Sequence, residues 1–377
     1  MLQSLARVKP FLPLLKSLRG AFGCGLAESR ARAEELASRD AEDGWSCFGD
    51  AGIADAYPTA ISWTPGEFPI RYPEGTGIHL PKGTFFVLQM HYNLSAGIEP
   101  DQSGVALELS SEKLHPVLGA DMVAPVELPC PSNDKSESCK RSHAIADLKV
   151  VEPDTDPADT SDGLLTMCGR TLVDYQGQDP SNIVSQCDFT SAVDGDIVTV
   201  YAHMDTLGRT FQLLLNPNTD KEQILLDIPQ WSFNWQSTYT LQTPIMLKKG
   251  DTLRVICSWD NSPKIAGISP QTKAPLESFT PVLGLVRAHD TLPTGQSRYV
   301  IWGEGTKEEM CIGSLGVLPT TAYKNVLSVV NYPSDAQATR QVVWLRMQRQ
   351  FYWMIPCVVL AASLLGFYMY WRKASRL

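Results

Sequence analysis

The chain has 377 residues, 44% of them hydrophobic, and a formal net charge of −9. This length is sufficient for two domains with packed cores. The acidic balance, with no basic run longer than two residues, argues against a nucleic-acid partner.

The N-terminal segment, residues 1–44, matches no recognisable domain pattern. Its longest apolar run, Pro10–Leu15, is short for the core of a signal peptide. Ala27–Asp43 is rich in Ala, Glu and Arg and has local helical propensity, and it is predicted to be an insertion or an exposed loop. A start further upstream, outside this sequence, would supply a signal peptide. The alternative is a tail-anchored chain that faces the cytosol.

From Ile61 onward, short apolar runs alternate with turns that contain Gly or Pro. This pattern predicts an all-β fold of sandwich type rather than βαβ units. The predicted strands are Thr84–His91, Val105–Leu109, Asp196–His203, Thr210–Leu215, Ser237–Leu241, Thr252–Trp259 and Arg298–Trp302. Two polar segments between strands, Asn133–Ser142 and Pro153–Asp162, are predicted to be loops. A boundary near Ser110–His115 separates a first unit, residues 45–112, from a second, residues 113–320.

The C-terminal segment predicts a membrane anchor. Phe351–Trp371 contains 21 residues without a charge, which is long enough to cross a bilayer as a helix. Aromatic residues lie near both of its ends, as is typical of membrane interfaces. Residues 321–350 are predicted to be a juxtamembrane linker, and residues 372–377 form a short basic tail. The alternative is a buried core helix.

The number and positions of the cysteines predict the cellular compartment of the protein. Eight cysteines precede the apolar segment, at positions 24, 47, 130, 139, 168, 187, 257 and 311, and a ninth, Cys357, lies within it. An even set in a β-rich region predicts disulfides made in an oxidising compartment. The sandwich domains are therefore expected to be luminal or extracellular in a single-pass membrane protein. The alternative is a set of reduced, buried thiols. No Cys-x-x-Cys pair occurs, which argues against structural zinc.

One predicted strand carries a candidate metal-binding pattern. Side chains alternate along a strand, so His203 and Asp205 point to one face and Met204 to the other. A later cluster, Trp302–Cys311, contributes Met310. Imidazole, carboxylate and thioether from separated strands could hold one copper ion. The alternatives are a structural histidine at 203 and core packing of Met310.

These segments resemble the copper type II, ascorbate-dependent monooxygenases, the family of peptidylglycine α-hydroxylating monooxygenase and dopamine β-monooxygenase. The resemblance covers residues 45–320. Five segments carry it: Val87–Asn93, His203–Gly208, Leu226–Trp231, Gly250–Cys257 and Trp302–Cys311. It implies two jelly-roll-like β-sandwich domains, of which the first is truncated here. It also implies one copper in each domain, with ascorbate as the reductant.

The resemblance implies specific ligands for both coppers. In the second domain the family has His-x-His-x-x-Gly and the Met of a Glu-Met-Cys, and His203, Asp205 and Met310 occupy those positions. In the first domain His91 matches the third ligand, whereas Ser17 and Leu18 stand where the family has a pair of histidines. The resemblance further implies two disulfides, Cys257–Cys311 and Cys24–Cys47.

The departures from the family pattern weaken the expected chemistry. Asp205 in place of a histidine favours Cu(II) over Cu(I) and should hinder O2 activation. Tyr201 and Ser314 stand where the peptide-acting enzyme has an Arg and a Tyr that hold the substrate carboxylate, so a peptidylglycine substrate is not expected.

The sequence thus predicts a copper-dependent monooxygenase that hydroxylates a C–H bond of an unknown small molecule or peptide. The alternative is a catalytically impaired, membrane-anchored copper-binding or interaction module. A further alternative is an incomplete sequence of an active enzyme.

Overall fold

The computed structural model describes residues 3–6, 22–27, 30–38, 45, 61–63, 67, 69–80, 85–90, 105–151, 156–233, 236–262, 297–305, 308–322 and 328–332. All of them belong to one compact unit, Met1–Pro333, and the second unit, Ser334–Leu377, lies outside them. The predicted transmembrane helix at 351–371 and the basic tail therefore lie outside the described residues. No helix in the described part of the chain is long and apolar enough to span a bilayer.

Strand is the predominant secondary structure of the described residues and helices are few, which confirms the all-β prediction. The strands are β1 (Gln3–Ala6), β2 (Phe22–Ala27), β3 (Ile61–Trp63), β4 (Thr76–His79), β5 (Phe85–Met90), β6 (Leu107–Ser110), β7 (His115–Pro116), β8 (Leu118–Val123), β9 (Glu127–Leu128), β10 (Ile183–Ser191), β11 (Gly195–His203), β12 (Gly208–Leu215), β13 (Gln223–Ile228), β14 (Tyr239–Leu247), β15 (Thr252–Trp259), β16 (Val300–Ile301), β17 (Ile312–Pro319) and β18 (Val330–Asn331). The helices are α1 (Arg30–Ala37), α2 (Arg141–Val151) and α3 (Pro157–Met167), with short 3-10 helices at Glu137–Cys139 and Leu172–Asp174.

Two antiparallel sheets form the main core. One has the strand order β13-β12-β15-β10-β18 and the other the order β14-β11-β17-β8. A Cβ placed on Gly313 of β17 would lie 3.1 Å from the ring of Phe211 on β12, so the two sheets pack face to face. Buried side chains of both sheets, such as Phe189 and Leu315, belong to one hydrophobic cluster. The core therefore lies between the sheets.

Side-chain alternation explains why these segments form strands. Along β10 every second residue, from Ile183 through Cys187 to Phe189, is buried, and the residues between them are more exposed. Such alternation is typical of a strand with one face on the core. In β11 the register shifts between Ile197 and Thr199, which marks a β-bulge.

The N-terminal part forms two smaller sheets, with the orders β6-β1-β4-β7 and β3-β2-β5. Cys24 lies on β2, opposite Ile61 of β3 and Leu88 of β5. Its predicted disulfide partner, Cys47, lies outside the described residues, so that pairing stays a prediction.

The loop prediction is wrong in part for both polar segments. In the first segment α2 begins at Arg141, and in the second α3 covers most of Pro153–Asp162. Asp156 caps α3 by accepting a hydrogen bond from the Asp159 backbone N–H, and Pro157 occupies the first turn. Acidic residues and proline at this position are signals for the start of a helix. Ala27–Asp43, predicted to be an insertion or exposed loop, contains α1, in agreement with its local helical propensity.

Three disulfides are formed: Cys130–Cys139, Cys168–Cys187 and Cys257–Cys311. They confirm the predicted disulfide framework for six of the eight cysteines and the pairing of Cys257 with Cys311. For these six residues the alternative of reduced, buried thiols is wrong.

A buried ionic network attaches the helices to the sandwich. The Glu127 side chain is fully buried, and Arg141 at the start of α2 donates to both of its oxygens at 2.7–3.0 Å. The same guanidinium reaches Asp162 of α3 at 2.8 Å. The Tyr299 hydroxyl donates to Glu127 Oε2 at 2.8 Å. Burial raises the pKa of Glu127, whereas its hydrogen bonds to Arg141 and the positive charge there lower it.

Candidate metal site

The end of β11 places His203 beside Asp205. His203 is the last residue of the strand and pairs with Ile312 of β17. Met204 is fully buried in the core, as the two-residue alternation predicts. The side chains of His203 and Asp205 are 17% and 6% exposed, and His203 Nε2 lies 3.9 Å from Asp205 Oδ2. The structure therefore brings the first two predicted ligands together.

Gln236 orients the imidazole of His203. The Gln236 side-chain amide donates from Nε2 to the Phe233 carbonyl at 2.7 Å, so its Oε1 faces His203 Nδ1 at 2.6 Å. Because an amide oxygen only accepts, Nδ1 carries the proton and donates. The lone pair of the imidazole then lies on Nε2, the atom nearer Asp205. A histidine that ligates a metal is oriented in the same way, by a hydrogen bond at its other nitrogen.

Asp205 is a buried carboxyl with an unsatisfied oxygen. Its backbone carbonyl accepts from Trp231 Nε1 at 3.1 Å, but its Oδ2 has no hydrogen-bond partner among the described residues. Burial raises the pKa of Asp205 well above its usual value, and nearby glutamates, Glu309 foremost, raise it further. A bound cation would oppose this shift by favouring the ionised form.

Glu309 ties the Asp205 loop to the segment that carries Met310. Its buried carboxylate accepts from the Asp205 backbone N–H at 2.9 Å, from the Leu207 backbone N–H at 2.5 Å and from Trp259 Nε1 at 3.0 Å. Burial raises the pKa of Glu309, whereas these three hydrogen bonds oppose that rise by favouring the ionised form. Met310 is next in sequence and is 6% exposed.

Met310 lies between two fixed residues. Glu309 forms a β-bridge with Trp302, and the Cys311 carbonyl accepts from the Ala124 backbone N–H at 3.0 Å. Cys311 is also bonded to Cys257 of β15. Both chain neighbours of the predicted thioether ligand are thus attached to other strands.

Tyr201 and Ser314, the positions that the resemblance associates with substrate binding, lie opposite each other on β11 and β17. The Ser314 hydroxyl donates to Asp121 Oδ1 on β8 at 2.6 Å. Burial raises the pKa of Tyr201, as do the negative charges of Glu67 and Asp121. An acidic group, Asp121, therefore lies beside the Tyr201–Ser314 pair.

A glycine is required at position 208. A Cβ there would lie 2.5 Å from Trp231 Cδ1 and 3.1 Å from Met204 Cε. These atoms belong to buried side chains that have little room to move. Because Gly208 has no side chain, Trp231 can reach the Asp205 carbonyl. This is the physical reason for a glycine at position 208.

Sequence reasoning missed Gln236, Asp121 and the role of Glu309. Gln236 is 33 residues from His203, and Glu309 is 104 residues from Asp205. No periodicity or spacing in the sequence indicates such contacts.

The predicted first-domain copper site cannot be placed. His91, Ser17 and Leu18 all lie outside the described residues. His91 as a copper ligand therefore stays a prediction.

A second cluster of ligand-type residues lies elsewhere in the described part of the chain. Cys130, Asp134 and Cys139 bring three potential ligand atoms within 4.8 Å of one another. The two cysteines are bonded to each other, so their sulfurs are not thiolate donors. This cluster is a disulfide loop rather than a metal site.

No protein-family model matches the chain, and no curated protein matches it. The family resemblance therefore rests on the sequence segments quoted above.

Proposed function

We propose that the chain is a copper-dependent, monooxygenase-like protein that hydroxylates a C–H bond of an organic substrate, with O2 as oxidant and ascorbate as reductant. The observation that carries this proposal is the placement of the unsatisfied, buried Asp205 Oδ2 3.9 Å from His203 Nε2. A buried carboxylate oxygen without a partner is costly unless a cation or a proton satisfies it.

His203 and Asp205 fit a copper ion by distance, and together with Met310 they fit it by chemistry. Nitrogen and oxygen ligands lie about 2 Å from a first-row metal, so two of them on opposite sides of one ion are about 4 Å apart. The separation of 3.9 Å falls within that limit. A borderline imidazole, a hard carboxylate and the soft thioether of Met310 together suit copper in both oxidation states.

The balanced reaction is R–H plus O2, two electrons and two protons, giving R–OH and water, with both electrons from ascorbate. Bound copper would supply the reductive activation of O2. Among the chain's own residues, Gln236 holds the His203 ring at Nδ1, with Nε2 3.9 Å from Asp205 Oδ2. Tyr201 and Ser314 flank the site and, together with Asp121, disfavour an anionic substrate group.

The architecture and location of the protein belong to the same proposal. The chain would comprise two jelly-roll-like sandwiches, the first truncated, and a single transmembrane helix at 351–371. The three disulfides support a luminal or extracellular location for the sandwich region, because disulfides persist in oxidising compartments.

A second candidate function is a membrane-anchored copper-binding module without hydroxylase activity. Asp205 favours it, because an anionic oxygen stabilises Cu(II) and opposes the reduction that O2 activation requires. The two candidate functions use the same metal site, and they differ in whether the protein hydroxylates a substrate there.

Ascorbate-dependent O2 consumption separates the two functions. With the full chain and added copper, Asp205→His is expected to consume O2 on the order of tenfold faster than the wild type, equivalent to about 1.4 kcal/mol in the barrier. The physical reason is that imidazole supports Cu(I) better than carboxylate does. His143→Ala, on the exposed face of α2, is the control and should match the wild type.

The outcome assigns the function. Consumption by the wild type that Met310→Ala abolishes supports the monooxygenase. Consumption by Asp205→His alone supports the binding module. If neither protein consumes O2 and neither binds copper, the proposal is wrong.

A further inference from the structure

We infer that Glu309 is a positioning residue, which holds the Asp205 loop against the Met310 segment in ligating geometry before any metal binds. The inference rests on the proposed metal site and concerns a residue that does not itself need to touch the metal.

The geometry brings three donors from two separate parts of the chain to one carboxylate. Glu309 Oε2 accepts from the Asp205 backbone N–H and from the Trp259 indole, and Oε1 accepts from the Leu207 backbone N–H. Glu309 is 0% exposed, so water does not compete for these bonds.

The Asp205 loop depends on these bonds more than Met310 does. Residues 204–207 connect β11 to β12, and two of their backbone N–H groups donate to Glu309. The Met310 segment has an independent attachment through the Cys257–Cys311 disulfide. Loss of the carboxylate should therefore release the Asp205 loop and leave Met310 in place.

Glu309→Gln is the informative substitution because it nearly preserves the volume. A carboxylate has two accepting oxygens, whereas a carboxamide has one, and its NH2 group cannot accept from an N–H. The variant can therefore satisfy either the Leu207 N–H or the Asp205 N–H and Trp259 indole, but not all three. Tyr175→Phe is the matched control, since it removes one buried hydrogen bond, to Ser185, from the same hydrophobic core.

Amide hydrogen exchange of the metal-free protein gives a readout that does not involve copper. Exchange at Asp205 and Leu207 is expected to be at least tenfold faster in Glu309→Gln than in the wild type, and unchanged in Tyr175→Phe. Exchange at Ile312, which lies beyond the disulfide, should change less than at Leu207. Equal exchange at Asp205 and Leu207 in the wild type and Glu309→Gln would overturn the inference.

Copper binding tests the consequence for the site. Glu309→Gln is expected to bind Cu(II) about 10- to 100-fold more weakly, as is typical when the support of a metal ligand is removed, and to change the Cu(II) electron paramagnetic resonance spectrum. Tyr175→Phe should keep the wild-type affinity and spectrum. Wild-type affinity and spectrum in Glu309→Gln contradict the inference. If the wild type itself binds no copper, the proposed function fails, and hydrogen exchange alone decides whether Glu309 holds the loop.

Discussion

Replacing Arg141 with alanine is expected to lower the free energy of unfolding by about 3–5 kcal/mol, because it leaves a buried carboxylate without its counter-charge. The Glu127 side chain is 0% exposed and Arg141 Nη2 lies 2.7 Å from its Oε1. Tyr299 would still donate one hydrogen bond to Glu127, which offsets only part of the loss. A deficit of this size is a large share of the stability of an ordinary domain, about 5–15 kcal/mol.

Urea denaturation of the Arg141→Ala variant measures the loss. The matched control is Arg32→Ala on α1, which removes an exposed pair with Glu35. Exposed pairs contribute about 0–1 kcal/mol, so the control should lie close to the wild type. If the two variants lose the same amount, the buried network is not what attaches α2 and α3 to the sandwich.

Removal of the Cys257–Cys311 disulfide is also expected to lower the free energy of unfolding by a large amount. Its two cysteines are 54 residues apart in sequence, and the loop-closure relation gives about 4 kcal/mol for a ring of this size. Both residues are changed to alanine together, so that no single thiol remains. The free energy of unfolding, measured without reductant, is expected to fall by that amount.

The Cys130–Cys139 disulfide provides the comparison. Its cysteines are only 9 residues apart, and the same relation gives about 3 kcal/mol. The Cys257–Cys311 bond should therefore be the more stabilising of the two, and its loss should also weaken copper binding through Met310. A larger loss from the Cys130–Cys139 pair would contradict this account of the site.

Features that depend on local sequence could be predicted. The apolar run Thr252–Trp259 predicted a strand with the bounds of β15, and the two-residue spacing of His203 and Asp205 predicted that they share a face. The Cys257–Cys311 pair followed from the family resemblance and is present. These features depend on the chain's own periodicity or on a recognisable pattern.

Features that depend on distant partners could not be predicted. Gln236 holds the His203 ring across 33 residues, and Glu309 reaches Asp205 across 104. The helix α3 was missed for a different reason, because an acidic, proline-containing segment is typical both of loops and of helix starts. The packing of Leu165 against the core favours the helix over the loop in this segment.

Asp205 is the residue on which the functional interpretation depends. Its buried, unsatisfied oxygen lies toward an imidazole whose other nitrogen is already engaged by Gln236. This is the arrangement expected of two ligands that share one cation. The carboxylate also makes Cu(II) the oxidation state that the site would favour.

Copper bound per chain, measured after equilibration with Cu(II) and removal of free metal, tests whether His203 and Asp205 hold a metal ion. We expect the wild type and His143→Ala to retain copper and His203→Ala to lose it. Met310→Ala should retain Cu(II) better than Cu(I), because the thioether prefers Cu(I). A wild type that retains no copper, or a His203→Ala variant that retains as much as the wild type, would contradict the proposed site.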